Sequence, residues 1–337
     1  MLTTRLCKLL GIQLPIFSAP MGPDLAGPEL VAAVSSAGGF GLMQSQFSPP
    51  EHLREQIRRV RRATDKPFGV NFILALPHDE GLNVCLEEHV PVVSFFWGDP
   101  ARYVERVHAA GSKIFLQVGS VEGARRAAAA GVDVIIAQGT EAGGHVEGET
   151  ATMVLVPRIV DAVAPVPVVA AGGIADARGV VAALALGAEG AVLGTRFLAT
   201  PEANAHPYYK QKLLDAVETD TVRTILFGHG WPNAPHRTLR TRFVQQWLGN
   251  EARTQESRAD EPVIGRTSIA DREIPIQRFM SLPPSNRVSG DIESMALLAG
   301  QTVGLVKEIK SAATIMRELA DEATRLIEQR LSVIASG

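Results

Sequence analysis

From Pro15 to Thr195 the chain alternates between two textures. Short apolar runs, rich in β-branched and aromatic side chains, recur at Pro15–Ala19, Phe40–Met43, Phe68–Phe72, Pro91–Phe95, Lys113–Val118, Asp133–Ala137, Pro167–Ala170 and Gly190–Gly194. Each is too short for a helix and reads as a fully buried strand. Between them lie Ala-, Arg- and Glu-rich stretches with apolar residues at helical spacing, such as Pro28–Ala37, Pro50–Ala63, Pro100–Ala110, Val121–Ala130 and Asp176–Leu186. Pro28, Pro50 and Pro100 sit where a first helical turn tolerates a missing N–H. Gly38, Gly111, Gly131 and Gly187 follow helices, where a left-handed residue is favoured. Strands covered on both faces by helices are parallel. Eight such units predict an α/β fold of the closed (β/α)8 TIM-barrel type.

After Thr195 the texture changes. Residues 200–290 hold Trp231, Trp247, Tyr208, Tyr209, several prolines and a polar run at 250–261. This segment predicts an inserted, mostly helical subdomain after strand eight, a substrate-binding or lid element on a barrel formed by 1–199 and 291–337. Met295, Leu298, Val303, Leu305, Ile309 and Ile315 predict two further helices, the first closing the barrel.

Length and composition agree with this picture and narrow the chemistry. The chain has 337 residues, 46% of them hydrophobic, and a formal net charge of −3. Neither the charge nor any basic stripe with interleaved aromatics points to nucleic acid. The two cysteines, Cys7 and Cys85, lack redox or zinc spacing and read as buried thiols. No apolar run approaches the ~18 residues that span a bilayer. Arg5 and Lys8 precede an apolar patch, but Gln13 and Pro15 interrupt it, so it is read as leading into the first strand and not as a signal peptide. A cytoplasmic location is expected.

Chemistry on such a barrel sits at the C-terminal strand ends. The stretch V-I-I-A-Q-G-T-E-A-G-G-H, residues 134–145, runs from a buried strand into a glycine-rich loop that ends on His145. Gly143 and Gly144 allow backbone to approach a ligand there, and His145 supplies the group that titrates near neutrality. The seventh and eighth strands end at Gly172-Gly173 and Leu193-Gly194-Thr195. Glycine turns on adjacent strands, with a threonine hydroxyl, suit a phosphate. The amides of Asn71 and Gln138 suit the edge of a heteroaromatic ring. Pro20-Met21-Gly22 can line one ring face with backbone and a soft side chain, and Gln117 ends strand five. Glu141, Glu147 and Glu149 flank His145, but no second histidine has ligand spacing, which disfavours a metal. G-x-S-x-G is missing, as is G-x-G-x-x-G with its acidic partner, so a serine hydrolase and a Rossmann site are disfavoured.

These residues resemble a known family. A-Q-G-x-E-A-G-G-H at 137–145, A-A-G-G-I at 170–174, L-G-T-R-F at 193–197, P-M-G at 20–22 and F-G-V-N at 68–71 are similar to the nitronate monooxygenases, formerly 2-nitropropane dioxygenases. Two further stretches, A-H-P-x-Y-K at 205–210 and A-G-Q-x-V-G-L at 299–305, extend the likeness over nearly the whole chain. Related branches are FMN-dependent enoyl-acyl-carrier-protein reductases and NADH:quinone reductases. The resemblance implies FMN across the barrel mouth. Gly173, Gly194 and Thr195 would hold its phosphate, Asn71, Gln138 and Gly143 would contact the ring or its tail, and Pro20, Met21 and Gly22 would line the isoalloxazine. His145 corresponds to the family's active-site histidine. Gln117 stands where some relatives carry lysine, which leaves the charge near the ring open. The implied reaction is oxidation of an alkyl nitronate, such as propionate 3-nitronate, by O2 to a carbonyl compound and nitrite, with His145 as base or anion-binding group. The expected partners are a small nitronate or nitroalkane and O2, without nucleic acid or membrane; a homodimer is left open. Two alternatives stand beside it: an NAD(P)H-dependent FMN reductase of an enoyl thioester or quinone, and a flavin carrier without turnover.

Overall fold

The computed structural model describes residues 2–256, 260–269 and 272–336. Eight parallel strands close a barrel: β1 (Ile16–Ser18), β2 (Phe40–Gln44), β3 (Phe68–Ile73), β4 (Val92–Phe96), β5 (Lys113–Val118), β6 (Val134–Gln138), β8 (Val168–Ala171) and β9 (Gly190–Leu193). Closure is made by β9 against β1, with Phe17 opposite Val192. All eight predicted strands are present, most shifted by a residue or two. The covering helices are α2 (Pro28–Ser36), α3 (Pro50–Ala63), α4 (Asp79–Glu87), α5 (Ala101–Ala109), α6 (Val121–Ala130), α7 (Thr152–Val163) and α8 (Ala177–Ala185). Gly38, Gly111, Gly131 and Gly187 take positive φ, as their places after helices predict.

Strand alternation sorts the side chains into two cores. Residues facing outward, such as Val70, Val93, Phe95 and Ile135, pack under the helices. Those facing inward fill the lower barrel with Phe17, Phe40, Phe115, Val134 and Val192. The first helix, α1 (Arg5–Leu10), plugs that end with Leu6, Cys7 and Leu10. The N-terminal apolar patch is therefore a helical stopper, and the first strand begins only at Ile16.

Two expectations beyond Thr195 are corrected. A four-residue helix, α9 (Thr195–Leu198), follows β9. Residues 200–290 then hold two helices, α10 (Pro207–Asp215) and α11 (Arg242–Trp247), but also β10 (Thr221–Thr224), β11 (His236–Leu239), β12 (Val263–Ile269), β13 (Arg272–Gln277) and β14 (Ser289–Gly290). The segment is built at least as much on strands as on helices. Tertiary pairing decides this: β11 lies between β10 and a two-residue strand from the barrel's own loop, β7 (Gly144–His145), while β12 pairs β13 and β14. The second correction concerns 291–310, which forms short 3-10 turns at the barrel rim. Ring closure falls to α12 (Ala312–Arg325), packed against α8 and α2. Leu25, Leu198, Tyr209, Met295, Leu297 and Val303 share one apolar cluster, so barrel rim, insertion and these turns have a common core.

Candidate active site

The barrel interior turns polar one layer above its phenylalanine floor. Gln44 on β2, Asn71 on β3 and Ser94 on β4 stand side by side in register, and Gln117 and Gln138 continue the belt on β5 and β6. Above the belt opens a cavity of about 440 Å³ at the C-terminal ends of the strands. It is lined by Pro20, Met21, Gly22, Asn71, Gln117, Gln138, Gly143, Gly144, His145, Gly172, Gly173, Gly194 and Thr195. Leu193 is the exception among the predicted site residues. It is fully buried among the outward-facing core side chains, because strand alternation sends Val192 and Gly194 inward and Leu193 outward.

Gln138 is held at one end only. Its Nε2 donates to the carbonyl oxygen of His145 at 2.9 Å, while its buried Oε1 has no partner among the described residues. A buried acceptor left unpaired costs about 1–3 kcal/mol, so this oxygen is set for a donor that enters the cavity. The glycine turns offer room of another kind. Gly172 and Gly173 both have positive φ. A Cβ at Gly173 or Gly194 would only touch its neighbours, 3.6 Å from Glu141 Cβ and 3.5 Å from Ala19 Cβ, so neither turn is tightly packed over. Thr195 Oγ1 accepts the Gly300 N–H at 3.0 Å, leaving its own hydrogen to donate.

The loop carrying His145 is pinned from several sides. The Glu141 carboxylate accepts from the Thr152 N–H at 3.0 Å and from its hydroxyl at 2.9 Å, at the start of α7. Arg237 donates to the Thr140 carbonyl through Nε at 3.1 Å and Nη2 at 2.9 Å. A Cβ on Gly143 would lie 2.4 Å from the Gly300 nitrogen, so only glycine permits this backbone contact. Glu149 pairs with Arg223. Two of the carboxylates near His145 are thus engaged elsewhere, and no group of three or more metal-binding side chains occurs among the described residues.

His145 itself faces an aromatic wall. Its ring stacks on Trp231 at 4.1 Å between centroids and meets Trp97 edge-on at 6.1 Å. Its Nε2 lies 3.3 Å from Ser281 Oγ. Across the β7–β11 pair stands His236, 5.4 Å away ring to ring. His236 is fully buried. Its Nε2 accepts the Phe227 N–H at 3.3 Å, so its proton is on Nδ1, donated to the Ala234 carbonyl at 3.0 Å. Burial lowers the pKa of His236 to about 4, against an opposing hydrogen bond from Ala234. Burial first, then the neighbouring His236, holds His145 well below the ordinary imidazole value. Both rings are neutral at physiological pH. Trp97 keeps a positive φ of 61°, a strained conformation for a bulky residue that the surrounding ring contacts sustain.

Comparison with known proteins agrees with this geometry. The profile of the family described as nitronate monooxygenase matches residues 3–81 and 73–322. The chain belongs to the nitronate monooxygenase family. Within it the chain is similar to a probable nitronate monooxygenase of Bacillus subtilis, 29% identical over 95% of this chain and 99% of that one. It is also similar to a 5-hydroxy-7a-methyl-1-oxo-octahydro-1H-indene-4-carboxyl-CoA dehydrogenase of Mycobacterium tuberculosis, 34% identical over 96% of both. Among solved structures, FabK from Thermotoga maritima superposes with a TM-score of 0.83, is 37% identical and covers 99% of this chain and 100% of its own. Nitroalkane oxidase from Streptomyces ansochromogenes gives 0.77 at 29% identity, covering 96% of this chain and 98% of its own. The family makes this chain a flavin-dependent oxidoreductase. The cavity suits a flavin: an acceptor at Gln138 unpaired among the described residues, loosely packed glycine turns beside the Thr195 hydroxyl, and an apolar bed of Ala19, Met21, Ile174 and Val192. Sequence reasoning missed Trp97, Ser281, Leu298 and Gly300, and left Trp231, His229 and His236 unassigned; all gather around the cavity through long-range pairing.

Proposed function

We propose that this chain binds FMN and uses O2 to oxidise alkyl nitronates to carbonyl compounds with release of nitrite. The observation that carries the reading is His145 at the end of its glycine-rich loop, facing a cavity whose Gln138 Oε1 lacks a donor among the described residues. Bound FMN would accept electrons from the substrate and hand them to O2. The protein's share is binding and orientation. In this reading Gly172, Gly173, Gly194 and the Thr195 hydroxyl hold the phosphate, Asn71, Gln117, Gln138, Gly143 and Gly144 edge the ring and tail, and Pro20, Met21 and Gly22 line one face.

The electrostatics of His145 favour a preformed nitronate over a neutral nitroalkane. An imidazole whose pKa is depressed by burial is a weak base, and abstraction of a carbon-bound proton needs a strong one. As a neutral ring fixed by Trp231 and Ser281, His145 can still give a nitronate oxygen a hydrogen bond through a ring N–H. It orients the anion and leaves the redox step to the flavin.

A second reading has its own support: the 37% identity to FabK over 99% of the chain and the likeness to a carboxyl-CoA dehydrogenase. It keeps FMN and makes NAD(P)H the electron donor, with an enoyl thioester or quinone as acceptor. Anaerobic stopped-flow absorbance with a nitronate and with NADH or NADPH, tested separately, decides between them. The nitronate reading expects flavin reduction by nitronate alone, and nitrite in air that falls to background in His145→Ala. Rapid bleaching by a nicotinamide, with no response to nitronate, overturns it.

A further inference from the structure

The charge inventory of the cavity restricts the substrate more than the reaction does. Among the described residues no lysine or arginine lines it. Its ionisable groups are Glu141, His145, His229 and Tyr209. The Glu141 carboxyl already accepts two hydrogen bonds from Thr152. Tyr209 is fully buried, donates to the Leu298 carbonyl, and is pushed up in pKa by burial. His229 presents a buried Nδ1 without a partner, a site for one hydrogen bond. Away from the glycine turns the apolar side chains of Phe47, Ile73, Phe96, Ile274, Met280 and Leu282 dominate the walls, with the uncharged Gln46 and Ser281 among them. Arg287 lines an adjoining, narrower recess that shares Pro23, Gln46, Leu282 and Pro283 with the cavity, and it faces Asp24 Oδ2 at 3.9 Å.

Resting on the nitronate reading, we infer that the substrate is a single-headed anion with an uncharged, apolar tail. A second anionic group on the tail, held against these walls away from the glycine turns, would have to leave water with no cation among the described lining residues to receive it, and a buried carboxylate so placed is heavily penalised. A methylene placed against these walls is favoured instead. Its burial is worth about fourfold in binding, which is ~0.8 kcal/mol. Propionate 3-nitronate, with a carboxylate at the far end of its chain, is therefore a poor substrate, and linear nitronates of four to six carbons are good ones.

The test compares kcat/KM of the FMN-loaded enzyme for ethyl, butyl and hexyl nitronate and for propionate 3-nitronate. Alongside it, binding of hexanoate and of succinate is followed by tryptophan emission. Butyl nitronate should exceed ethyl nitronate by about fifteenfold, as two buried methylenes require. Propionate 3-nitronate should fall at least tenfold below butyl nitronate. Ile274→Arg, at a half-buried wall position, should narrow or reverse that gap. Equal or better turnover of propionate 3-nitronate by the native chain overturns the inference. If no nitronate is oxidised but hexanoate binds more tightly than succinate, the nitronate chemistry fails and the apolar-tail inference stands. If succinate binds as tightly as hexanoate, the inference falls.

Discussion

A histidine buried in neutral form must make the protein sensitive to acid, and the size of the effect follows from His236. In the unfolded chain its imidazole titrates near 6.5; in the folded protein burial brings it to about 4. The unfolded state therefore binds this proton more readily. The contribution is complete above pH 6.5 and is lost as pH falls toward 4. At about 1.4 kcal/mol per pH unit, the full loss is about 3 kcal/mol, with roughly 2 kcal/mol of it gone by pH 5. His145 adds a loss of the same sign, since a proton on either ring repels one on the other across 5.4 Å. The assay is urea unfolding of the native chain and of His236→Asn, followed by circular dichroism between pH 8 and pH 4.5. Asparagine sacrifices contacts to Phe227 and Ala234 and starts less stable, so the slope with pH carries the result. The native chain should lose about 2 kcal/mol more than the variant on going from pH 7.5 to pH 5. Parallel stability curves would mean that His236 is protonated or solvated in the fold, and the neutral Nδ1–H form assigned to it would fall.

Other perturbations probe the cavity wall by wall. Gln138→Leu removes the unpaired acceptor and the hold on the His145 carbonyl, and should weaken FMN binding roughly tenfold, about 1.4 kcal/mol, in a flavin-fluorescence titration. Unchanged affinity would remove Gln138 from the flavin site. Trp231→Ala opens the face of His145 that is now stacked; the acid limb of the pH–kcat/KM profile should move upward toward 6.5, while Trp231→Phe restores it. Gly143→Ala drives a methyl against the Gly300 nitrogen and should cost about 1–3 kcal/mol in thermal unfolding, with release of bound flavin.

What was legible in the chain was what depends on near neighbours. Short apolar strand runs, prolines at the starts of α2 and α3, and glycines after helices are local signals, and they predicted the barrel's eight strands to within a residue or two. The polar belt was legible for the same reason: Asn71, Gln117 and Gln138 stand at strand ends, and strand position alone sends a side chain inward or outward. That rule, applied one residue too generously, also put Leu193 in the site, although Val192 and Gly194 are the inward pair. The wall around His145 obeys no local rule. Trp231 reaches it because β11 pairs with the two-residue β7, and Ser281 because the chain returns from the β12–β13 hairpin. The hairpin did leave a trace, since Val263–Ile269 and Arg272–Gln277 are rich in β-branched residues, yet the surrounding prolines and polar runs obscured it. A cavity floor made from strand ends can thus be read from one stretch at a time. The neutrality of His145 cannot, because burial and a second imidazole, 91 residues on in the chain at His236, create it jointly. Sequence motifs consequently speak to the cofactor more clearly than to the substrate, whose charge and length are set by walls that only the folded chain brings together.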